Sequence, residues 1–144
     1  MICRLKDRLC ALPVAHVVET MRPMPVRGVA ECPSFMLGVS VIRGEAVPVV
    51  DVALLLGALA SNPARIVTVA LNGRRVALAV DAVLGVFEIP LGSIGDLPPL
   101  LRGARNDVIS ALGTLDRELL YILNSARIVS DSLWTAMENQ NDAG

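Results

Sequence analysis

The sequence lacks most of the side chains on which enzyme active sites are built. Aromatic residues make up 3% of the 144 residues, and the chain has a single histidine, His16, and a single lysine, Lys6. Neither a Gly-x-x-x-x-Gly-Lys-[Ser/Thr] nor a Gly-x-Gly-x-x-Gly phosphate-binding motif is present. We therefore predict that the protein is not an enzyme and has no catalytic residue and no cofactor.

Nucleic-acid and metal binding are disfavoured on similar grounds. Stacking of single-stranded nucleic acid needs aromatic faces, and the net charge of −1 comes with scattered arginines rather than a basic stripe. Cys3, Cys10 and Cys32 form no C-x-x-C motif and have only His16 as a further ligand, so no metal site is expected. If Lys6-Asp7 forms a two-residue turn, Cys3 lies opposite Cys10, and we interpret both as reduced, buried thiols.

No stretch of the sequence is suited to crossing a membrane. The longest uncharged apolar stretch, Val52 to Ala64, is interrupted by Gly57 and Pro63 and is too short for a bilayer. A secretion signal at the N-terminus is disfavoured because Asp7 and Glu19 place acidic charge around its apolar part. We therefore expect a cytoplasmic protein without direct membrane insertion.

The chain is rich in the residues of a β-sheet core, since 53% of it is hydrophobic and 19% is charged. The organising stretch runs from Gly38 to Asp51 and reads as two apolar strands around a turn at Arg43-Gly44, where Gly44 supplies positive φ. Pro48 lacks an N–H donor, which predicts that its strand is an edge strand or carries a bulge.

Further elements follow from turn signals and alternation. Asn72-Gly73 predicts a type I′ hairpin that pairs Val69 with Val76 and Val67 with Leu78. The other predicted strands are Ile2 to Leu5, Arg8 to Pro13, Val17 to Met21, Val83 to Pro90, Val108 to Leu115 and Glu118 to Leu123. Asp51 is expected to cap a short helix that ends at Gly57, a loop is expected from Leu91 to Asp107, and Ser125 to Met137 favours a second helix.

A faint internal repeat indicates two similar β units. Gly44 is followed by Val47, Val49 and Asp51, and Gly73 is followed by Val76, Leu78 and Asp81. The one plausible seam between the two units lies at Ala58 to Ala64.

Several of these blocks together resemble CheW-like domains, the coupling proteins of bacterial chemosensory arrays. The most specific block is Arg43-Gly44 through Val47-Pro48-Val49-Val50-Asp51. The remaining blocks are Val17-Val18-Glu19, Arg65-Ile66-Val67, Val76 through Asp81 to Val86, Leu112 to Leu115 and Leu119 to Leu123. The resemblance extends from Ile2 to about Val129. Ser110 and Asn124 depart from the Gly and Asp that are frequent in the family, which favours a divergent member in a non-flagellar pathway.

The resemblance implies a mainly β fold of two five-stranded, SH3-like antiparallel β-barrels packed together, with a short helix after Asp51 and a C-terminal helix. One CheW-like domain is expected at residues 1–135, with subdomains at about 8–62 and 63–124 that exchange terminal strands, and a frayed tail at 136–144. Within it, Gly44, Asn72 and Gly73 are expected at structural turns.

The resemblance also implies a non-enzymatic adaptor at receptor arrays on the inner face of the membrane. Its partners are the cytoplasmic tip of chemoreceptors and the CheW-like regulatory domain of a CheA-type histidine kinase, and exposed sheet edges predict weak self-association. Val17, Glu19 and Arg43 match the family's receptor-binding positions. We further expect Glu19 and Arg43 to pair beside a shallow apolar groove that includes Val17.

Two alternatives come from other classes of function. The first is a regulatory β-barrel that binds a ligand or peptide outside any receptor array. The second is a hydrolase using Asp51 or Asp81, which end apolar strands as the aspartates of aspartic proteinases do. Neither aspartate is followed by the Thr or Ser and Gly of those enzymes, so helix capping and turn formation are the preferred interpretation.

Overall fold

The structure is a computed structural model, and it describes residues 1–58, 63–95 and 108–142. Its strands are β1 (Ile2–Leu5), β2 (Arg8–Ala11), β3 (Val17–Met21), β4 (Met36–Ile42), β5 (Glu45–Asp51), β6 (Arg65–Leu71), β7 (Arg74–Val80), β8 (Ala82–Gly85), β9 (Ile94–Gly95), β10 (Ile109–Leu115) and β11 (Glu118–Leu123). The helices are α1 (Val52–Leu55) and α2 (Asp131–Asp142), with single 3-10 turns at Val14–His16, Leu91–Ser93 and Ser125–Arg127. None of the helices in the described residues is long and apolar enough to cross a membrane.

The strands form two sheets, which confirms the predicted mainly β fold with two units. The first sheet has six strands in the order β8-β1-β2-β11-β10-β9, and the second has five in the order β3-β6-β7-β5-β4. Most neighbours are antiparallel, but β2 pairs with β11 and β5 pairs with β7 in parallel. Each sheet therefore contains one parallel pair that joins strands distant in the chain, which the sequence did not indicate.

The sheets do not divide the chain at the expected seam. Strand β3 pairs with β6, and β5 pairs with β7, so strands on both sides of residues 58–64 share one sheet. Strands β5 and β7 are buried along most of their length and therefore need neighbours at both edges. A division of the sheets into residues 8–62 and 63–124 is thus wrong, while residues 59–62 of the seam lie outside the described part of the chain.

The local hairpin predictions are confirmed by the pairing. Cys3 lies opposite Cys10, Val69 opposite Val76 and Val67 opposite Leu78. The Asn72-Gly73 turn has φ angles of 54° and 76°, as a type I′ turn requires. Asp51 caps α1 through a 3.2 Å hydrogen bond that its carboxylate accepts from the Leu54 N–H.

Other boundaries differ from the prediction. Strand β5 is an interior strand, and its pairing with β7 begins at Val49, one residue after Pro48, so the missing N–H of the proline precedes the ladder. Strand β8 ends at Gly85 rather than Pro90, and the C-terminal helix continues to Asp142, so residues 136–142 are helical rather than frayed. Most of the expected loop from Leu91 to Asp107 lies outside the described residues.

Three apolar clusters hold the sheets together. The largest, which we call the shared core, contains side chains of both sheets, among them Cys3, Leu5, Cys10, Val50, Val67, Val69 and Leu78. The opposite face of the second sheet packs Val49, Ala77 and Ala79 together, and the opposite face of the first packs Ile2, Leu9 and Leu120. The central strands of each sheet therefore bury side chains on both faces, in agreement with the scarcity of polar residues in these strands.

Candidate functional site

A charged pair connects the two edge strands of the five-stranded sheet. Arg43 follows β4 at the hairpin turn, and its Nε and Nη2 groups donate to Glu19 Oε1 and Oε2 of β3 at 3.2 and 2.8 Å. The two hydrogen bonds match the planar fork of the guanidinium to the carboxylate. The structure thus brings together two of the three residues that the sequence placed at a receptor-binding site.

The hairpin turn holds Arg43 in an unusual backbone conformation. Arg43 has φ of 54° and Gly44 has φ of 79°, so both central residues are left-handed. The sequence predicted this for Gly44 alone. A left-handed conformation costs a residue with a Cβ roughly 1–2 kcal/mol. The chain therefore carries an arginine at a position that glycine or asparagine would occupy with less strain, as it does with Lys6 and Arg117 at two other hairpin turns.

The pair is asymmetric in its exposure. The Arg43 side chain is 69% exposed, whereas the Glu19 side chain is 25% exposed. Hydrogen bonding by Arg43 lowers the pKa of the Glu19 carboxyl, and the positive charge of Arg75 lowers it further. The same pairing raises the pKa of Arg43. Within the described residues Arg43 Nη1 has no partner, so Glu19 orients a guanidinium that still presents a donor to solvent.

Val17 lies on the opposite sheet face from Glu19. A bulge at Val18 shifts the register of β3, so that Val17 pairs with Val69 and Glu19 pairs with Thr68. Because consecutive residues of β6 point to opposite faces, Val17 packs against the shared core and the charged pair lies on the other face. The expected groove with Val17 beside the pair is therefore not what the structure shows.

The apolar groove near Arg43 is instead formed by β4 and the chain crossing before it. Val41, two residues before Arg43, is 69% exposed. The crossing is fixed to β4 by two hydrogen bonds between Arg27 and Val39, of 2.9 and 2.8 Å. Their close approach requires Gly38, where a Cβ would lie 2.0 Å from the Arg27 carbonyl oxygen. The open groove of about 980 Å³ is lined by Met24, Pro25, Val26, Val29, Val39 and Val41.

A second exposed apolar surface lies at an edge of the six-stranded sheet. Val86 is 62% exposed and Phe87 is 46% exposed directly after the edge strand β8. A groove of about 250 Å³ beside them is lined by Val14, Val86, Phe87, Ile89, Ile94 and Ile122. We call this surface the β8 edge patch. Adjacent exposed apolar side chains at a sheet edge are typical of protein interfaces.

The two strand-ending aspartates have structural partners. Asp51 is buried at the N-terminus of α1, and burial raises the pKa of its carboxyl. Asp81 accepts a 2.5 Å hydrogen bond from the Lys6 N–H, and its own N–H donates to the Arg4 carbonyl at 3.0 Å. These bonds fix a helix start and the β1–β2 turn, as the preferred interpretation of the sequence stated.

Comparison with known proteins gives consistent matches over nearly the whole chain. The family described as CheW-like domain matches residues 1–133. Protein FrzA of Myxococcus xanthus is 33% identical over 137 residues, which cover 88% of this chain and 81% of that protein. A probable chemotaxis protein CheW of Rhizobium etli is 25% identical over 132 residues, covering 90% of this chain and 85% of that protein.

A solved structure has the same fold. The scaffolding protein TtCheW of Thermoanaerobacter tengcongensis superposes with a TM-score of 0.77, and the match covers 92% of each chain at 24% sequence identity. Two proteins that share so few residues can share a fold of this kind because the core needs only apolar residues of suitable size in the right pattern.

Proposed function

This chain belongs to the CheW-like domain family, and we propose that it acts as a non-enzymatic adaptor that couples chemoreceptors to a CheA-type histidine kinase. The family match covers residues 1–133 and therefore both sheets. The proposed place of action is the cytoplasm, at receptor arrays on the inner face of the membrane. Asp51 and Asp81 both serve structural hydrogen bonds, which supports a scaffold rather than a hydrolase.

The single observation that carries the proposal is the Glu19–Arg43 pair. By the family resemblance both residues match receptor-binding positions, and the proposal is supported by the bidentate geometry, which holds Arg43 in one orientation. A receptor tip is a helical surface, and an oriented guanidinium recognises a carbonyl or carboxylate on it through charged hydrogen bonds. The exposed Val41 side chain next to it adds apolar contact. The receptor role of Val17, on the opposite face, stays a prediction from the family resemblance.

The kinase contact is proposed for the β8 edge patch. Its exposed Val86 and Phe87 side chains follow the edge strand of the first sheet, whereas Arg43 belongs to the second, so the two partners would use different sheets. A coupling protein needs this separation because both partners must bind at once. The same patch accounts for the expected weak self-association, since apolar edge surfaces also meet their own copies.

The proposal is tested by reconstitution from three purified components. The protein, a receptor cytoplasmic fragment and the regulatory domain of a CheA-type kinase from the same organism are mixed and separated by gel filtration. We expect one complex that contains all three, and no association of receptor with the regulatory domain when the protein is omitted. If the protein binds neither component at concentrations well above micromolar, the proposed coupling function is wrong.

A further inference from the structure

Two thiols outside the proposed binding surfaces face each other in the β1–β2 hairpin. Cys3 and Cys10 are register partners, and both are fully buried in the shared core. The third cysteine, Cys32, is half-buried elsewhere and donates to the Val29 carbonyl at 3.1 Å. Cysteines 3 and 10 are therefore a pair by position, and the coupling function makes no use of their chemistry.

The hairpin register sets the separation of the two residues. Leu5 and Arg8 close the two-residue turn, and Cys3 and Cys10 form the second pair beyond them, so both pairs are of the same hydrogen-bonded type. In such pairs the Cα atoms lie about 5.5 Å apart, within the range that disulfides span. The Cβ atoms lie at or beyond the upper end of the usual disulfide range, so the bond requires the strands to close slightly and is strained.

We propose that Cys3 and Cys10 form a reversible thiol-oxidation site, which a low-molecular-weight disulfide converts into a cross-strand disulfide. The strain makes that bond easy to reduce, as is typical of regulatory rather than structural disulfides. The site thus reports the balance between small-molecule thiols and disulfides around the protein.

The two thiols have different roles in the exchange. Hydrogen bonding by Cys10 lowers the pKa of the Cys3 thiol, while the same contact and burial raise the pKa of Cys10. The Cys3 thiolate attacks one sulfur of the small disulfide, whose S–S bond breaks and releases one thiolate. Cys10 then attacks the Cys3 sulfur of the mixed disulfide and releases the second. The protein loses two electrons and two protons, which leave with the two small thiols.

Oxidation acts on the centre of the six-stranded sheet. Cys3 also pairs with Val83 of β8, and Cys10 pairs with Tyr121 of β11. Drawing the two strands together therefore shifts the backbone to which β8 is hydrogen-bonded. Because both sulfurs are buried, the exchange needs a local opening of the hairpin, and its rate follows the frequency of that opening.

The test uses the folded protein with Cys32→Ser, so that the pair holds the only two thiols. The protein is incubated with glutathione disulfide, quenched with acid, alkylated and weighed by mass spectrometry. We expect both thiols to disappear together, with a mass lower by two hydrogen atoms and no attached glutathione. Low urea should speed the reaction several-fold, and millimolar reduced glutathione should restore both thiols.

Three results would overturn the proposal. One is retention of both thiols in the folded protein under conditions that oxidise the same variant in strong urea. Another is a disulfide found only between two chains. The third comes from Cys10→Ala in the Cys32→Ser background, which should stop with one glutathione on Cys3; if no adduct forms, Cys3 does not react and the proposed exchange is wrong. Cys3→Ala in the same background is the matched control and should react more slowly.

Discussion

The guanidinium of Arg8, on strand β2 of the first sheet, donates a 2.9 Å hydrogen bond to the carbonyl oxygen of Leu56. Leu56 comes directly after α1, the helix that follows strand β5 of the second sheet. The same guanidinium lies 5.6 Å from the ring centre of Tyr121 on β11. Arg8 therefore bonds a carbonyl at a helix end and joins the two sheets at the margin of their shared core.

Arg8→Ala should destabilise the fold without touching either proposed binding surface. We expect a loss of about 1–2 kcal/mol in the free energy of unfolding, from a charged hydrogen bond and a cation–π contact that are both partly solvated. Urea unfolding measures the loss. Arg22→Ala, which removes an exposed arginine, is the matched control and should change stability by less than about 0.5 kcal/mol. Equal effects of the two variants would contradict the bridging role of Arg8.

Arg43→Ala should affect binding and leave stability nearly unchanged. An exposed ion pair contributes only about 0–1 kcal/mol to folding, whereas loss of a charged hydrogen bond to the receptor weakens binding by roughly 1–3 kcal/mol. Arg43→Lys should restore little, because an ammonium does not reproduce the planar fork. Calorimetric titration with a receptor fragment tests this, with exposed Arg127→Ala as the control. Unchanged affinity of Arg43→Ala would place the receptor site elsewhere.

Arg43→Asn separates backbone strain from side-chain function. Asparagine tolerates the left-handed conformation of the turn better than alanine does, and both variants lack the pair with Glu19. The Asn variant should therefore be more stable than the Ala variant by about 0.5–1 kcal/mol while binding receptor equally poorly. Thermal unfolding and the same titration give both quantities. Two variants of equal stability would show that the turn imposes no strain at this position.

Phe87→Ala should weaken kinase binding and spare receptor binding. An exposed aromatic side chain that becomes buried at an interface commonly contributes more than about 1 kcal/mol to affinity. Leu119 has the same 46% exposure on β11 and provides a matched control. Titrations should show that Phe87→Ala binds the kinase regulatory domain more weakly but not the receptor fragment, and that Arg43→Ala does the reverse. Equal losses in Phe87→Ala and Leu119→Ala would remove the β8 edge patch from the kinase contact.

Asp51→Asn tests whether the buried charge of the Asp51 carboxylate lowers the stability of the fold. Asparagine caps a helix about as well as aspartate, so the variant keeps the cap without the buried charge and should be at least as stable as the parent at pH 7. Burial raises the pKa of Asp51 above its usual value of 3.8, so the folded parent binds this proton more readily than the unfolded chain. The parent therefore gains stability from this group as the pH falls through the raised pKa, and the advantage of Asn should shrink in acid.

Unfolding of Asp51→Asn, Asp51→Ala and the parent at pH 7 and in mild acid supplies the measurement. The Ala variant loses the cap and should be less stable than the Asn variant by about 1 kcal/mol at either pH. A hydrolase that uses Asp51 would lose its function in both variants, whereas the adaptor with Asp51→Asn should still form the complex of three components. Failure of the stable Asn variant to assemble would contradict a purely structural role.

The sequence predicted the hairpins, whose pairing is set by the residues of a short turn. It did not predict the pairing of strands that lie far apart in the chain. The turns at Lys6-Asp7 and Asn72-Gly73 set the register of their hairpins, because two-residue loops leave one alignment of the flanking strands. Nothing in β5 or β7 specifies that they pair in parallel, since both are apolar strands that any buried neighbour would satisfy. For that reason the expected boundary at Ala58 to Ala64 does not separate the strands of one sheet from those of the other.

The site was predicted in part for a comparable reason. The resemblance singled out Glu19 and Arg43, and the structure joins them. It did not reveal the bulge at Val18, because the alternation of Val17 and Glu19 looks regular in the sequence while the shift of register arises only from pairing with β6. The exposure of Val41 and Phe87 was also missed, since apolar residues in an apolar chain carry no signal of which ones remain at the surface.

The parallel pairing of β2 with β11 constrains the order in which the protein folds during synthesis. All strands of the second sheet lie between residues 17 and 80, so that sheet can be complete once residue 80 has left the ribosome. Strands β1 and β2 emerge first but must wait for β8 and β11 as their outer neighbours. Until then the hairpin exposes both edges and its shared-core side chains Cys3, Leu5 and Cys10, so the nascent chain is most prone to aggregation in this interval.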